Sequence, residues 1–167
     1  MDFRYLVYER IERVARVTLN RPNCRNALSR VMQEELESAF AAAVADEQVG
    51  AILVDANGPI FSAGHDLGTP DHVDDLAARP YLEPPVRGEF EYSWEMWLNM
   101  PLRWRDLPKP TIAAVHGLCI YGGWKLASAM DIVVAADDAK FVAGPPQWMS
   151  LPWDVGPRIA KAILLDD

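Results

Sequence analysis

Two glycine-bearing stretches hold the residues best suited to do chemistry, and each follows an apolar run. In the first, a β-rich segment (Thr111 to Val115) meets a turn at Gly117, the apolar pair Ile120-Tyr121 and the doublet Gly122-Gly123. Leu126, Ala127, Ala129 and Met130 then recur at helical spacing up to Asp131. This pattern predicts a strand, a turn and the start of a helix. Glycines at such a junction let a ligand approach the backbone, and the first N–H groups of a helix have no partner within it. Together with the helix dipole they can receive negative charge, either a phosphate or an oxyanion that develops during reaction. A glycine pair can equally serve tight helix packing, and on this stretch alone both readings stay open. In the second, Ile60-Phe61 leads into Ser62-Ala63-Gly64-His65-Asp66-Leu67-Gly68, a small-residue polar segment at a strand end, where open α/β sheets bind ligands. His116 reads as a hydrogen-bonded structural residue, and Asp66 and Asp131 as loop and cap ligands of the backbone. Cys24 and Cys119 have neither metal-ligand spacing nor the density of a disulfide framework, so both read as plain thiols, and no metal site is expected.

The 167 residues are half hydrophobic and 24% charged, with a net charge of −8. That suits one domain over residues 1–167 with a proper core, and excludes a disordered chain. The acidic balance argues against nucleic acid, because Arg10, Arg13 and Arg16 are spread at strand spacing and form no patch. Neither a charged-then-apolar leader nor an apolar run long enough to span a bilayer is present, so a cytoplasmic protein without membrane attachment is expected.

Strands and helices must position these stretches. Arg4 to Glu9 and Val14 to Leu19 read as a hairpin through Glu9 to Arg13. After the turn Asn20-Arg21-Pro22-Asn23, Asn26 or Ser29 can cap a helix. Its apolar positions Met32, Leu36, Phe40 and Ala43/Val44 share one face, with Glu34, Glu35 and Glu37 outside it. Ala51 to Val54 reads as a buried strand closed by Asp55 to Pro59. Thr69 to Arg87, with Pro70, Pro80, Pro84 and Pro85, reads as a surface excursion with at most a short helix near Val73 to Ala78. Loops of this length are often lids. Phe90, Trp94, Trp97 and Leu98 recur at helical spacing, continued by Leu102 and Trp104. Pro101 should split that helix in two, since an interior proline costs ~3 kcal/mol. Asp131 to Ala135 reads as a buried strand and Lys140 to Val142 as a short one. Gly144-Pro145-Pro146 forbids regular structure, and Pro152-Trp153-Asp154 precedes a last helix, Gly156 to Leu165.

Three motifs occur in order: Leu19-Asn20-Arg21-Pro22 with Arg25-Asn26-Ala27-Leu28; Phe61-Ser62-Ala63-Gly64-His65-Asp66-Leu67; and Pro108-Lys109-Pro110-Thr111 through Gly122-Gly123 to Asp131. Together they resemble the crotonase superfamily, also called the enoyl-CoA hydratase/isomerase family, from about Arg4 to Asp138. Pro152 to Arg158 resembles a variant seen in bacterial members. The resemblance implies an α/β fold, a crotonase-like spiral of ββα units. It also implies an acyl-CoA thioester as ligand, coenzyme A entering as part of the substrate and no separate cofactor being needed. In that family two main-chain N–H groups hold the thioester oxygen as it acquires enolate charge. The matching donors here are the amides of His65 and Gly122, the latter in Tyr121-Gly122-Gly123, which stands where the usual run is three glycines. Coenzyme A contacts carry over to Asn23, Cys24 and Arg25 and to Ala63, Gly64, His65, Asp66, Leu67 and Gly68, with Gly123 beside Gly122. Arg25 is the matching phosphate partner, through charge-assisted hydrogen bonds.

The sequence also departs from the family. The two glutamates that handle water in its hydratases fall at Lys125 and at Pro145, with Gly144 before the latter and Gln147 two places on. Lys125 could add a cation to the enolate site or shuttle a proton as a neutral amine. It could also face solvent or pair with an acid. Glu91 and Glu95 are weaker carboxylate candidates. The family's C-terminal helical part, which completes the acyl pocket and supports trimers or pairs of trimers, is largely missing, and the region after Met149 is short. Trp94, Trp97, Trp104, Trp148 and Trp153 exceed the needs of a small core, which predicts a homo-oligomer. The sequence therefore predicts an acyl-CoA-processing enzyme of the hydratase/isomerase type. The alternative is a non-catalytic acyl-CoA-binding protein or truncated remnant. A dinucleotide loop at Tyr121-Gly122-Gly123 would need the G-x-G-x-x-G spacing that is missing.

Overall fold

The computed structural model describes residues 2–142 and 156–165. Strands β1 (Leu6–Ile11) and β2 (Val14–Leu19) form the expected antiparallel hairpin, turned at Glu12-Arg13 with Glu12 at φ 52°. A 3-10 turn (Pro22–Cys24) leads to α1 (Arg30–Ala45) and β3 (Ala51–Ala56), which pairs parallel with β2. Beyond a helical excursion come β4 (Thr111–Val115), β5 (Leu118–Ile120), α5 (Gly122–Ser128), β6 (Ile132–Ala135) and β7 (Lys140–Val142). The larger sheet has the order β1-β2-β3-β4-β6, parallel from β2 onward, and β5 pairs parallel with β7 in a smaller one. Isolated bridges Leu28↔His65 and Ser62↔Cys119 continue the smaller line of backbone. Each pass of the chain thus lays one segment on the large sheet and one on the small before the next pass stacks beside it. This is the ββα spiral.

The alternation of the strands and the helical stripe meet in one core. The Ser29 hydroxyl accepts from the amide of Met32 and caps α1. Met32, Leu36, Ala39, Phe40 and Ala43 are buried in one cluster with Ala15, Val17 and Leu19 of β2, Ile52 and Val54 of β3, and Ala113 and Val115 of β4. Trp104 closes it edge-to-face on Phe40, with ring centroids 5.8 Å apart.

Three expectations change. The excursion is helical at both ends: α2 (Pro70–Ala78) is capped by the Thr69 hydroxyl, and α3 (Pro85–Trp94) begins at a proline whose missing N–H is unneeded in a first turn. Next, Pro101 does not split the following helix. A π-turn (Glu95–Asn99) joins α3 directly to α4 (Met100–Arg105). There the amide of Met100 donates to the carbonyl of Glu95, five residues back. In that register the missing N–H of Pro101 would have served Met96, whose carbonyl instead accepts from Lys125 Nζ at 3.0 Å. Finally, β6 is an edge strand and exposed along its length, as is β7. A continuous apolar run shows what a strand suits, not what covers it. The last helix, α6 (Pro157–Leu165), forms as expected. Gly144-Pro145-Pro146, Gln147, Trp148 and Pro152-Trp153-Asp154 lie outside the described residues. No helix among the described residues is long and apolar enough to cross a membrane.

Candidate active site

Main-chain hydrogen bonds bring the 23–25 turn and the 62–68 loop together. The amide of Ala63 donates to the carbonyl of Arg25 at 2.9 Å, that of Leu28 to Gly64 at 2.7 Å, and that of Asp66 to Leu28 at 3.2 Å. Asn26, which sequence reading took as a possible cap and as part of the first motif, ties the turn inward. Its Oδ1 accepts from the Arg21 amide, and its Nδ2 donates to the carbonyls of Asn57 and Ile60. Such a buried amide satisfied by three backbone groups explains why a polar residue sits there. On the far side, the loop joins the β5–α5 corner through Ser62 N to Leu118 O and Ile120 N to Ser62 O.

At that corner the His65 and Gly122 backbones converge. A Cβ built on Gly122 would stand 3.2 Å from the His65 nitrogen, and one built on Gly64 would stand 3.0 Å from the Gly122 nitrogen. Among the described residues neither the His65 nor the Gly122 amide donates a hydrogen bond. Gly123 serves packing, since a Cβ there would lie 2.7 Å from Ser62 Cβ. The packing reading of the glycine doublet therefore applies to Gly123. Tyr121 adopts φ 45° and ψ −103°, a conformation costing a non-glycine residue ~1–3 kcal/mol. It is held by its amide donating to Val142 and its carbonyl accepting from Lys125.

Lys125 neither faces solvent nor pairs with an acid. It is 3% exposed, and its Nζ donates to Gln33 Oε1 at 2.8 Å and to the Met96 carbonyl at 3.0 Å. The ring centroids of Trp97 and Trp104 lie 4.1 Å and 5.2 Å from it. Burial holds the ammonium well below its usual pKa. Gln33 was missed in the sequence because it occupies the apolar face of α1, where nothing local marks a polar partner for a residue 92 positions away. Trp97 also touches His65, with ring centroids 3.6 Å apart. Burial, and then the charge of Lys125, lower the imidazole to about 4.

Asp66 anchors the loop. Its carboxylate accepts from Arg21 Nη1 at 2.6 Å, from the Thr69 hydroxyl and amide, and from the Gly68 amide. Burial opposes its ionisation, yet these donors together hold it below the usual carboxylate range. Arg21 reaches on to Asp71, which also accepts from the Tyr5 hydroxyl. Asn23, Arg25, Leu67 and Gly68 are exposed around this anchor, and Cys24 is half-buried. His116 bonds the Gly58 carbonyl and Asp131 caps Thr111, both structural as expected. Glu91 pairs with Arg87 and Glu95 with Arg103. Both glutamates line a cavity of about 220 Å³ with Phe90, Trp94 and Asn99. Burial pushes the Cys119 thiol up to about 12, consistent with an inert core thiol. Among the described residues no group of three or more His, Cys, Asp or Glu could hold a metal ion.

Against known proteins, the pattern defining the Enoyl-CoA hydratase/isomerase family matches residues 9–164. EchA13 of Mycobacterium tuberculosis, which carries an enoyl-CoA hydratase name, is 39% identical over 98% of this chain and 58% of its own length. The human mitochondrial Delta(3,5)-Delta(2,4)-dienoyl-CoA isomerase is 36% identical over 77% of this chain and 39% of its own. A crystal structure of an enoyl-CoA hydratase/isomerase from Xanthobacter autotrophicus Py2 superposes with a TM-score of 0.80 at 39% identity, covering 98% of this chain and 60% of that one. The chain thus spans less than two thirds of the length of these relatives. Nearly the whole of it matches both the family pattern and the spiral, and it belongs to the enoyl-CoA hydratase/isomerase family.

Proposed function

We propose that the chain, as one crotonase-like domain, binds an acyl-CoA thioester and stabilises the enolate formed from it. The main-chain amides of His65 and Gly122 donate to the thioester oxygen. The observation that carries this reading is the convergence of those two backbones, with neither N–H donating to any described group. Both N–H groups are thus left free to donate to an anionic oxygen. Preset donors of this kind contribute ~3–4 kcal/mol each when charge develops in front of them. Family membership supports the substrate class, since the relatives named above are enzymes of CoA thioesters. Exposed Arg25, on a turn bonded to Ala63, suits the phosphates of coenzyme A. Coenzyme A then comes with the substrate, and the chemistry needs no other cofactor.

The test is deuterium exchange. In D2O a saturated acyl-CoA such as butyryl-CoA should bind and lose its α-protons to solvent, followed by mass spectrometry. Absence of both binding and exchange refutes the reading. Binding without exchange would favour the non-catalytic binder, which the buried Lys125 at one glutamate position and Pro145 at the other motivate. We also propose a homo-oligomer, a trimer or a pair of trimers, and a monomer by light scattering at micromolar concentration would contradict it.

A further inference from the structure

Resting on the enolate reading above, we infer that the His65 imidazole is the group that moves the substrate's proton, and that the reaction is a 1,3 shift of an enoyl double bond rather than addition of water. Among the described residues, the lysine and the carboxylates nearest the amide pair are already committed. Lys125 Nζ is sealed beneath it on Gln33 and Met96. The Asp66 carboxylate is turned to Arg21, Thr69 and Gly68. Glu95, on the π-turn that carries Trp97, is paired with Arg103 and Asn99.

His65 differs from all of them. Its Nδ1 would stand 3.2 Å from a Cβ on Gly122, the same distance as its own amide nitrogen. One residue therefore brings a main-chain donor and an imidazole to the same neighbour. The ring rests on Trp97, and among the described residues neither ring nitrogen has a hydrogen-bond partner. Of the described charged groups facing it from the loop, α5 and the π-turn, Lys125 is the one that acts on its ionisation. An imidazole lowered to about 4 is neutral at pH 7. Its basicity then falls in the range of a carboxylate.

The step balances without any added reactant. In a 3-enoyl thioester the imidazole lone pair takes a proton from the α-carbon. The electron pair of that C–H bond enters the conjugated system, leaving a dienolate whose oxygen is held by the two amides. The imidazolium then returns the proton to the γ-carbon, the carbonyl re-forms, and the double bond lies between the α- and β-carbons. Hydration would need a second group to hold and deliver water, and its position falls on Pro145, which has no titratable group.

His65→Ala and His65→Gln separate the two halves of the proposal, because both keep the amide of residue 65 and lose the imidazole. With 3-hexenoyl-CoA as substrate and product identified by chromatography and mass spectrometry, the wild-type chain should give 2-hexenoyl-CoA. It should not hydrate crotonyl-CoA. Both variants should lose ~100-fold or more in kcat while binding butyryl-CoA as the wild type does. The kcat of the wild type should fall as pH drops toward about 4, the pKa to which burial brings the imidazole. If the wild type exchanges and isomerises and folded variants do so within about threefold, the imidazole is excluded and the amide reading stands. If the wild type hydrates crotonyl-CoA faster than it isomerises, the 1,3 shift is wrong. If it neither binds nor exchanges a thioester, both proposals fall. Should the variants not fold, a wild-type kcat with no acid limb approaching that pKa overturns the imidazole's role.

Discussion

Replacing Gly64 with alanine probes the convergence of the two amides through a residue that contributes neither. Gly64 has φ +89°, and a Cβ there would lie 2.6 Å from the carbonyl oxygen of Ile120 and 3.0 Å from the nitrogen of Gly122. The left-handed conformation costs alanine ~1–3 kcal/mol. The contact with Ile120 is to a strand carbonyl that cannot rotate aside, so overpacking adds ~1–3 kcal/mol. Alanine returns ~0.4–1 kcal/mol by restricting the unfolded chain. The net expectation is a loss of ~3 kcal/mol, a large part of the ~5–15 kcal/mol typical of a folded domain. Urea unfolding should show a lowered midpoint with an unchanged slope. Because the strain pushes on the Gly122 nitrogen, butyryl-CoA affinity should fall ~10-fold or more under conditions where the variant is folded. Gly50→Ala is the control: its nearest neighbour is the flexible end of Arg13 at 3.3 Å, and it should stay within ~0.5 kcal/mol of wild type. A Gly64→Ala variant as stable as that control would refute the placement of the loop against β5 and α5.

Other outcomes follow from the same geometry. Tyr121→Gly should raise stability by about 1 kcal/mol in urea, since relief of a strained φ outweighs the ~0.5–1 kcal/mol entropic cost of glycine; a loss would show the tyrosine ring anchors the corner. Lys125→Met should flatten the dependence of stability on pH. Burial lowers the folded pKa of Lys125, so between that value and the unfolded ~10.4 the unfolded chain binds more protons, and wild-type stability rises with pH through the window. Parallel wild-type and variant profiles in guanidinium titrations from neutral to alkaline pH would contradict this. Asp66→Ala removes the 2.6 Å partner of the buried Arg21 guanidinium and leaves it Asp71 at 3.2 Å, so it should cost ~1–3 kcal/mol. In the wild type the depressed Asp66 pKa stabilises the fold above the unfolded value of ~3.9, and that contribution is lost as pH falls through the folded value. Acid unfolding unaffected by the substitution would exclude that role.

Much of the fold was readable because local rules and tertiary demands agree. The stripe Met32, Leu36, Phe40, Ala43 of α1 is buried as its spacing requires, and the strand, turn and helix around Gly117 and Gly122 form where predicted. Pro101 was misread because a local penalty was judged without the partner that relieves it. A π-turn leaves the Met96 carbonyl open, and a lysine from another element fills it. For β6, burial was inferred from composition, whereas its position at the sheet edge leaves it exposed.

The sequence by itself determined the family, through three ordered motifs, and the order of the elements, because glycine, proline and apolar period act within a few residues of where they stand. Tertiary structure alone decided which side chains near the site remain available. Gln33, Met96 and Trp97 enclose Lys125 from α1 and the π-turn, and Arg21 takes up Asp66 from 45 positions away. The physical reason is that a charged group's ionisation and reach depend on its desolvation and its partners. Those are set by elements far apart in the chain, which only the folded spiral brings into contact.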